Sequence, residues 1–175
     1  MGKIYQLMEL CFNRVLTHLP STPLKRFTLR CLGASIGSNV YLYSGIEILN
    51  PKGLSIGDNC HVGRFCQIDA RGGIVIGNNV CIAGHVIIIT ADHDVQAGGF
   101  EGRLAPVVIG DYTWLCTRST VLKGTNLQRG CVVAAGSVVI RDVSANSIVS
   151  GVPAKHIATR NPDHHYDLDI GPLWF

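Results

Sequence analysis

One histidine stands where its neighbours invite chemistry. His93 lies between two carboxylates in the run Thr90-Ala91-Asp92-His93-Asp94, and a polar, glycine-rich stretch follows it through Gly98, Gly99 and Gly102 to Arg103. Imidazole can take up and return a proton near neutral pH, provided a partner holds the ring in place. Asp92, Asp94 and Glu101 are the acids near enough in sequence to do so. A second chemistry would use thiols. The seven cysteines (Cys11, Cys31, Cys60, Cys66, Cys81, Cys116 and Cys131) are scattered, with no CxxC pair and no zinc-finger spacing. A third would gather His61, His85 and His93 around a metal.

The elements that must position these groups follow from a repeat. Ile-Gly recurs at Ile36-Gly37, Ile56-Gly57, Ile76-Gly77 and Ile109-Gly110, the first three 20 residues apart. Within each unit aliphatic residues return every six: Ile36, Leu42, Ile48; Ile56, Val62, Ile68; Ile76, Ile82, Ile88; then Ile109, Leu115, Val121, Leu127, Val133 and Val139. Six is neither a helical period nor a simple strand alternation. It fits a chain that runs straight, turns, and repeats, so that three sides close a triangular coil.

Four residues after the aliphatic positions stand small or compact side chains, among them Val40, Cys60, Cys66, Val80, Val86, Thr113, Ser119, Thr125, Cys131, Ser137 and Val143. They suit the inner corners of a prism, which places Cys60, Cys66 and Cys131 in the core. A single coil cannot bury its own inside, so stability must come from stacking coil on coil. The period breaks once. Ile76 and Ile109 are 33 residues apart, which is one coil plus an ejected loop, and His93 opens that loop. Solenoids carry function on such insertions.

The expected organisation is an N-terminal helical cap over 1–32, a β-helix over 33–153 with an extruded loop at about 92–107, and a C-terminal helix and tail over 154–175. Ile4, Leu7, Met8, Cys11 and Val15 share one face at helical spacing, Pro20 and Pro23 stop that helix, and a second runs from Leu24 to Leu32. The tail is read as a strap, with Leu173, Trp174 and Phe175 packing on a neighbour. The chain has 175 residues, 47% hydrophobic and 15% charged, with a net charge of +3. That excludes a disordered chain or coiled coil and gives no case for nucleic acid. The N-terminus carries no secretory signal pattern and no apolar span, so the odd cysteine count points to reduced thiols in a cytoplasmic protein. The N-terminal helices are read as a cap for the open solenoid end, with membrane-surface association as an open alternative that the sequence does not itself indicate.

The pattern resembles the hexapeptide-repeat acyltransferases, over roughly residues 33 to 158. Their fold is a left-handed parallel β-helix. Thr90-Ala91-Asp92-His93 resembles the Thr/Ser-x-x-His start of their active-site loop. Pro106-Val107-Val108-Ile109-Gly110-Asp111-Tyr112-Thr113-Trp114-Leu115 is similar to their P-I-x-I-G-D-x-V-W-I signature. Ala134-Ala135-Gly136-Ser137-Val138-Val139 and Gly151-Val152-Pro153-Ala154-Lys155 are similar to G-A-G-S-V-V and G-V-P-A-K/R.

The resemblance implies an acetyl-CoA-dependent O-acetyltransferase acting on a sugar or polysaccharide precursor. His93 would be general base in direct transfer, without a metal, and the active sites would lie between subunits of a homotrimer. It places Trp114, Thr117 and Ala135 along the pantetheine arm. Lys155 and Arg160 would approach the coenzyme phosphates, and Asp92, Asp94 and Arg64 the acceptor. Departures fall at Cys116, where glycine is usual, at Leu127-Gln128 for Ile-Gly, and at Gly63-Arg64, where the maltose and galactoside branch has an asparagine. Serine O-acetylation, amino-sugar N-acetylation, a γ-carbonic-anhydrase-like metalloenzyme and a non-catalytic β-helix scaffold are the alternatives. Serine acetyltransferases carry a large helical domain that the segment before Ile36 cannot supply. The histidine spacings of 24 and 8 do not fit the carbonic anhydrase ligands.

Overall fold

The computed structural model describes residues 2–168. Every aliphatic position of the six-residue series is buried, and so is every compact position four residues later. Their strands stack in parallel into three sheets. The first holds Ser35–Ile36, Leu54–Ile56, Ile74–Ile76, Val107–Ile109 and Asn126–Leu127. The second holds Tyr41–Leu42, His61–Val62, Cys81–Ile82, Trp114–Leu115, Val132–Val133 and Ser147–Ser150, and the third Glu47–Leu49, Gln67–Asp69, Ile87–Ile89, Thr120–Val121 and Val138–Val139. Ile36 faces Ile56, Ile56 faces Ile76 and Ile76 faces Ile109, so the register passes unbroken across the 33-residue interval. The architecture is a parallel β-solenoid with three corners.

The corners repeat too. Three residues after an aliphatic, the backbone enters the left-handed region. At the first corner, between sheets one and two, Asn39, Asn59, Asn79 and Tyr112 have φ of 49°, 54°, 56° and 59°. Asparagine tolerates this conformation better than most residues. The third corner, between sheets three and one, absorbs the extra residues of the 20-residue coils in the turns at 50–53 and 70–73. The long loop leaves from that same corner.

Two helices close the open end: α1 (Lys3–Arg14) and α2 (Thr22–Cys31). Pro23 opens α2 rather than stopping α1, because proline suits the first turn of a helix. The face of α1 read as the packing face points away from the solenoid, and Ile4, Leu7, Met8, Cys11 and Val15 are exposed. The first coil presents unpaired strand edges, and the helices' polar side chains satisfy them. The Asn13 amide donates to the Ile48 carbonyl and accepts from its N–H, both at 2.9 Å. Glu9 accepts from the Asn50 N–H at 3.1 Å, and buried Lys25 donates to the carbonyls of Leu42 and Tyr43 at 3.0 and 3.1 Å. Phe12 and Leu29 fill the space between.

The other end also differs from expectation. Where the sequence suggests a helix from residue 154, the strand Lys155–Thr159 pairs antiparallel with Ser147–Ser150 and covers the last edge of sheet two. An open strand edge offers more hydrogen bonds than a short isolated helix could make. Residues 161–168 then run back over the first corner as a strap. His164 meets Asn146 at 3.0 Å, Asp167 accepts from Asn59 at 3.3 Å, and the Leu168 carbonyl lies 2.9 Å from His61 Nε2. Leu173, Trp174 and Phe175 lie outside the described residues.

Candidate active site

His93 sits on a β-hairpin, Ala91–His93 paired antiparallel with Gly102–Leu104. Thr90 anchors its base. The Thr90 hydroxyl is fully buried, donates to the Asp69 carbonyl at 2.5 Å and accepts from the Gly72 N–H at 2.8 Å. The ring is held by the loop's main chain rather than by an acid. His93 Nδ1 lies 2.8 Å from the Phe100 carbonyl, and the two rings stack at 4.3 Å, 5° from parallel. A carbonyl only accepts, so Nδ1 is the protonated nitrogen of the neutral ring and the lone pair falls on Nε2, the tautomer a general base needs. Phe100 aims its carbonyl from a left-handed backbone, φ 52°.

The acids expected to orient the ring are engaged elsewhere. Asp92 receives a two-pronged contact from Arg103 at 2.9 and 3.1 Å, with Lys123 at 3.5 Å. Asp94 pairs with Arg103 at 3.5 Å. The Arg103 guanidinium holds the Asp92 carboxyl below the usual carboxylate range. Arg103 also donates to the His93 carbonyl at 3.3 Å, so it ties both strands of the hairpin together. Glu101 contributes its main-chain carbonyl, which accepts from the Asp94 N–H.

The remaining candidates stand on another corner, the second, between sheets two and three. A ladder of main-chain bonds climbs it: Phe65 to Ser44, His85 to Arg64, Arg118 to Gly84, Gly136 to Thr117 and Val138 to Gly151. Arg64, Thr117 and Ala135 therefore form one column, with Lys155 just beyond its upper end and Trp114, 47% exposed, on the adjoining sheet. Arg160 does not join them. Its guanidinium donates to the carbonyls of Tyr112 and Gly130 and to the Tyr166 hydroxyl, which locks the strap on the first corner. Within one chain the hairpin and the column occupy different corners of the prism.

The column contains residues not singled out from the sequence. Its left-handed turn position is filled by Gly45, Phe65, His85, Arg118 and Gly136, with φ between 57° and 73°. Glycine takes that conformation freely, whereas a large side chain is strained there. Phe65 and His85 stack at 5.3 Å and, with Tyr43, Gly63, Arg64 and Gly84, line an open cleft of about 480 Å³. The signal was present three residues after Val62, Ile82 and Leu115, where the other corner carries mostly asparagine.

The thiols are poorly placed for covalent catalysis. Burial pushes Cys60, Cys66 and Cys131 up to about 11, and it also raises half-buried Cys81 and Cys116. A nucleophilic cysteine needs the opposite shift. Among the described residues no group of three or more His, Cys, Asp or Glu side chains could hold a metal ion.

No protein-family model matches the chain. It is 35% identical over 136 residues to the colanic acid biosynthesis acetyltransferase WcaF of Escherichia coli K12, covering 78% of this chain and 75% of that protein. It is 30% identical over 158 residues to the galactoside O-acetyltransferase of the same organism, covering 84% and 75%. Among solved structures, the hexapeptide-repeat acetyltransferase VCA0836 of Vibrio cholerae, complexed with acetyl coenzyme A, superposes with a TM-score of 0.79 at 24% identity, over 90% of this chain and 85% of that one. A galactoside acetyltransferase in complex with coenzyme A gives 0.73 at 23% identity, over 95% and 84%.

Proposed function

The chain belongs to the hexapeptide-repeat acetyltransferases, and from that membership we propose that it moves an acetyl group from acetyl-CoA to a hydroxyl of a sugar or polysaccharide precursor, with His93 as general base. The observation that carries this reading is the Nδ1 contact with the Phe100 carbonyl, which leaves Nε2 as the free basic nitrogen on an exposed hairpin. Nε2 removes the acceptor's hydroxyl proton as the oxygen attacks the thioester carbonyl. The carbon–sulfur bond of the tetrahedral intermediate then breaks, and the imidazolium returns its proton to the thiolate. Asp92 and Asp94 act through Arg103, which braces the hairpin, and either carboxylate is also within reach of an acceptor beside His93.

The column on the second corner receives the substrates. Thr117 and Ala135 border the path of the pantetheine arm, beside Trp114. Lys155 is the candidate cation for the coenzyme phosphates, in preference to Arg160, which the strap occupies. Arg64, with the stacked Phe65 and His85, suits a sugar, which offers hydroxyls to the guanidinium and a C–H face to the rings. His93 and this column lie on different corners of one chain, so a complete site needs the hairpin of one copy against the column of the next. A cyclic homotrimer of three-cornered prisms supplies three such sites. Among the described residues no acid bonds to His93, which costs the mechanism little because the carbonyl already sets the tautomer.

The test is an acceptor screen that monitors thiol release from acetyl-CoA with hydroxyl sugars, amino sugars and serine. Release with a hydroxyl sugar and an O-acetyl product by mass spectrometry is expected. Release only with serine or an amino sugar would transfer the same base to a different acceptor and overturn the sugar-hydroxyl assignment.

A further inference from the structure

The N-terminal cap shows one apolar face outward while it buries another. A surface helix ordinarily buries its apolar stripe and shows its polar one. Here Phe12 and Leu29 pack inward, but Glu9, Asn13 and Lys25 are turned toward the first coil with them, where they satisfy its edge, and a second set of apolar residues is left outside. Ile4 is 77% exposed, Leu7 66% and Phe27 66%. Met8, Leu10, Val15, Leu19 and Leu24 are exposed as well, so eight of the large exposed hydrophobic side chains fall within the first 27 residues. Ile4, Leu7, Cys11 and Val15 follow helical spacing and run the length of α1.

The charge around this face has one sign. Residues 2–46 contain Lys3, Arg14, Lys25, Arg26 and Arg30, against a single acid, Glu9. The Glu9 carboxylate is spent on the Asn50 N–H, and Lys25 and Arg30 are spent on the carbonyls of Leu42, Tyr43, Ile36 and Gly37, which leaves Lys3, Arg14 and Arg26 as the cations of the outer face. Lys3 and Arg14 flank the apolar stripe of α1, and Arg26 precedes Phe27 on α2. Exposed apolar residues bordered by cations, with no outward acid, fit a surface that is apolar beneath and negatively charged above. A protein partner would need an acidic rim around an apolar centre, whereas an anionic bilayer offers both layers everywhere. No helix among the described residues is long and apolar enough to cross a membrane.

We propose that the outward faces of α1 and α2 dock the protein on an anionic phospholipid bilayer. The helices lie in the plane of the interface, with Ile4, Leu7, Val15 and Phe27 entering the acyl boundary and Lys3, Arg14 and Arg26 meeting lipid phosphates. The two corners used for acetyl transfer run along the sides of the prism and remain open to water. Docking does not depend on the acetyltransfer reading, since it uses none of the same residues.

Co-sedimentation of the full chain with lipid vesicles tests this. The protein should pellet with vesicles containing about one third phosphatidylglycerol, stay in solution with phosphatidylcholine alone, and be released as salt is raised toward ~1 M. Leu7→Ser with Phe27→Ser should weaken binding roughly tenfold or more, because the apolar anchor is lost. Lys3→Gln with Arg14→Gln should weaken it roughly fivefold per charge. These side chains are exposed, so unfolding temperature and turnover of a water-soluble acceptor should hold in both variants. Wild-type protein that stays in solution with anionic vesicles overturns the proposal. So does a self-association by sedimentation velocity that Leu7→Ser with Phe27→Ser abolishes while vesicle binding is absent, since the face would then join protein to protein.

Discussion

At the scale of single residues, the loop's own main chain orients His93, and the turn position of the second corner pays a conformational cost to present side chains. A left-handed backbone costs a residue with a Cβ roughly 1–2 kcal/mol relative to glycine. Phe65, His85 and Arg118 hold that conformation beside the cleft, whereas Gly45 and Gly136 occupy the same position above and below. Phe65→Gly and His85→Gly should therefore leave unfolding free energy unchanged or raise it by about 1 kcal/mol, while kcat/KM for the acceptor falls. Denaturant titration and steady-state kinetics on the same variants check both halves. A drop in stability with activity retained would mean that these side chains serve packing alone. The sequence pointed to His93 through the run around it and the break in the repeat. It could not point to the Phe100 carbonyl, because any residue supplies one and only the folded hairpin brings it under the ring.

At the scale of elements, the hairpin is only as precise as its anchorage. Thr90 joins it to the coil below through a buried hydrogen bond to Asp69 and a half-buried one from Gly72. Thr90→Ala takes the hydroxyl from a buried carbonyl and a half-buried N–H, which should cost about 1–3 kcal/mol of stability by chemical denaturation. It should also lower kcat, since the hairpin's origin loosens. An unchanged midpoint would show that water or a backbone shift replaces the hydroxyl. The solenoid was legible in the sequence because its core demands one aliphatic every six residues, and nothing competes with that demand. The two ends were not. Helical spacing located the apolar stripe of α1, but periodicity cannot say which face meets the solenoid. That choice was made by the unpaired edge at Ile48, Asn50 and Leu42, which drew the polar side chains inward. The C-terminal strand was decided in the same way, by the open edge at Ser147–Ser150.

At the scale of the whole molecule, the proposed division of the site between two corners would make assembly part of catalysis. The trimer proposed from this division can be tested by sharing. Protein carrying His93→Ala lacks the base, and protein carrying Ala135→Trp has its groove filled. Each alone should be inactive, yet mixed trimers contain interfaces where an intact hairpin meets an intact column. Random mixing should restore about a quarter of wild-type activity, and sedimentation should give a mass near three times the 18.9 kDa chain. No recovery on mixing, or full activity in a monomer, would place the site within one chain.

The most direct measurement is the turnover of His93→Ala on the best acceptor from the screen, under saturating acetyl-CoA. The account predicts a loss in kcat of ~10²–10⁴, the usual worth of a positioned general base, with KM for acetyl-CoA within a few-fold of wild type because the proposal sets the coenzyme on the other corner. A variant that folds, binds acetyl-CoA and turns over at the wild-type rate would contradict it.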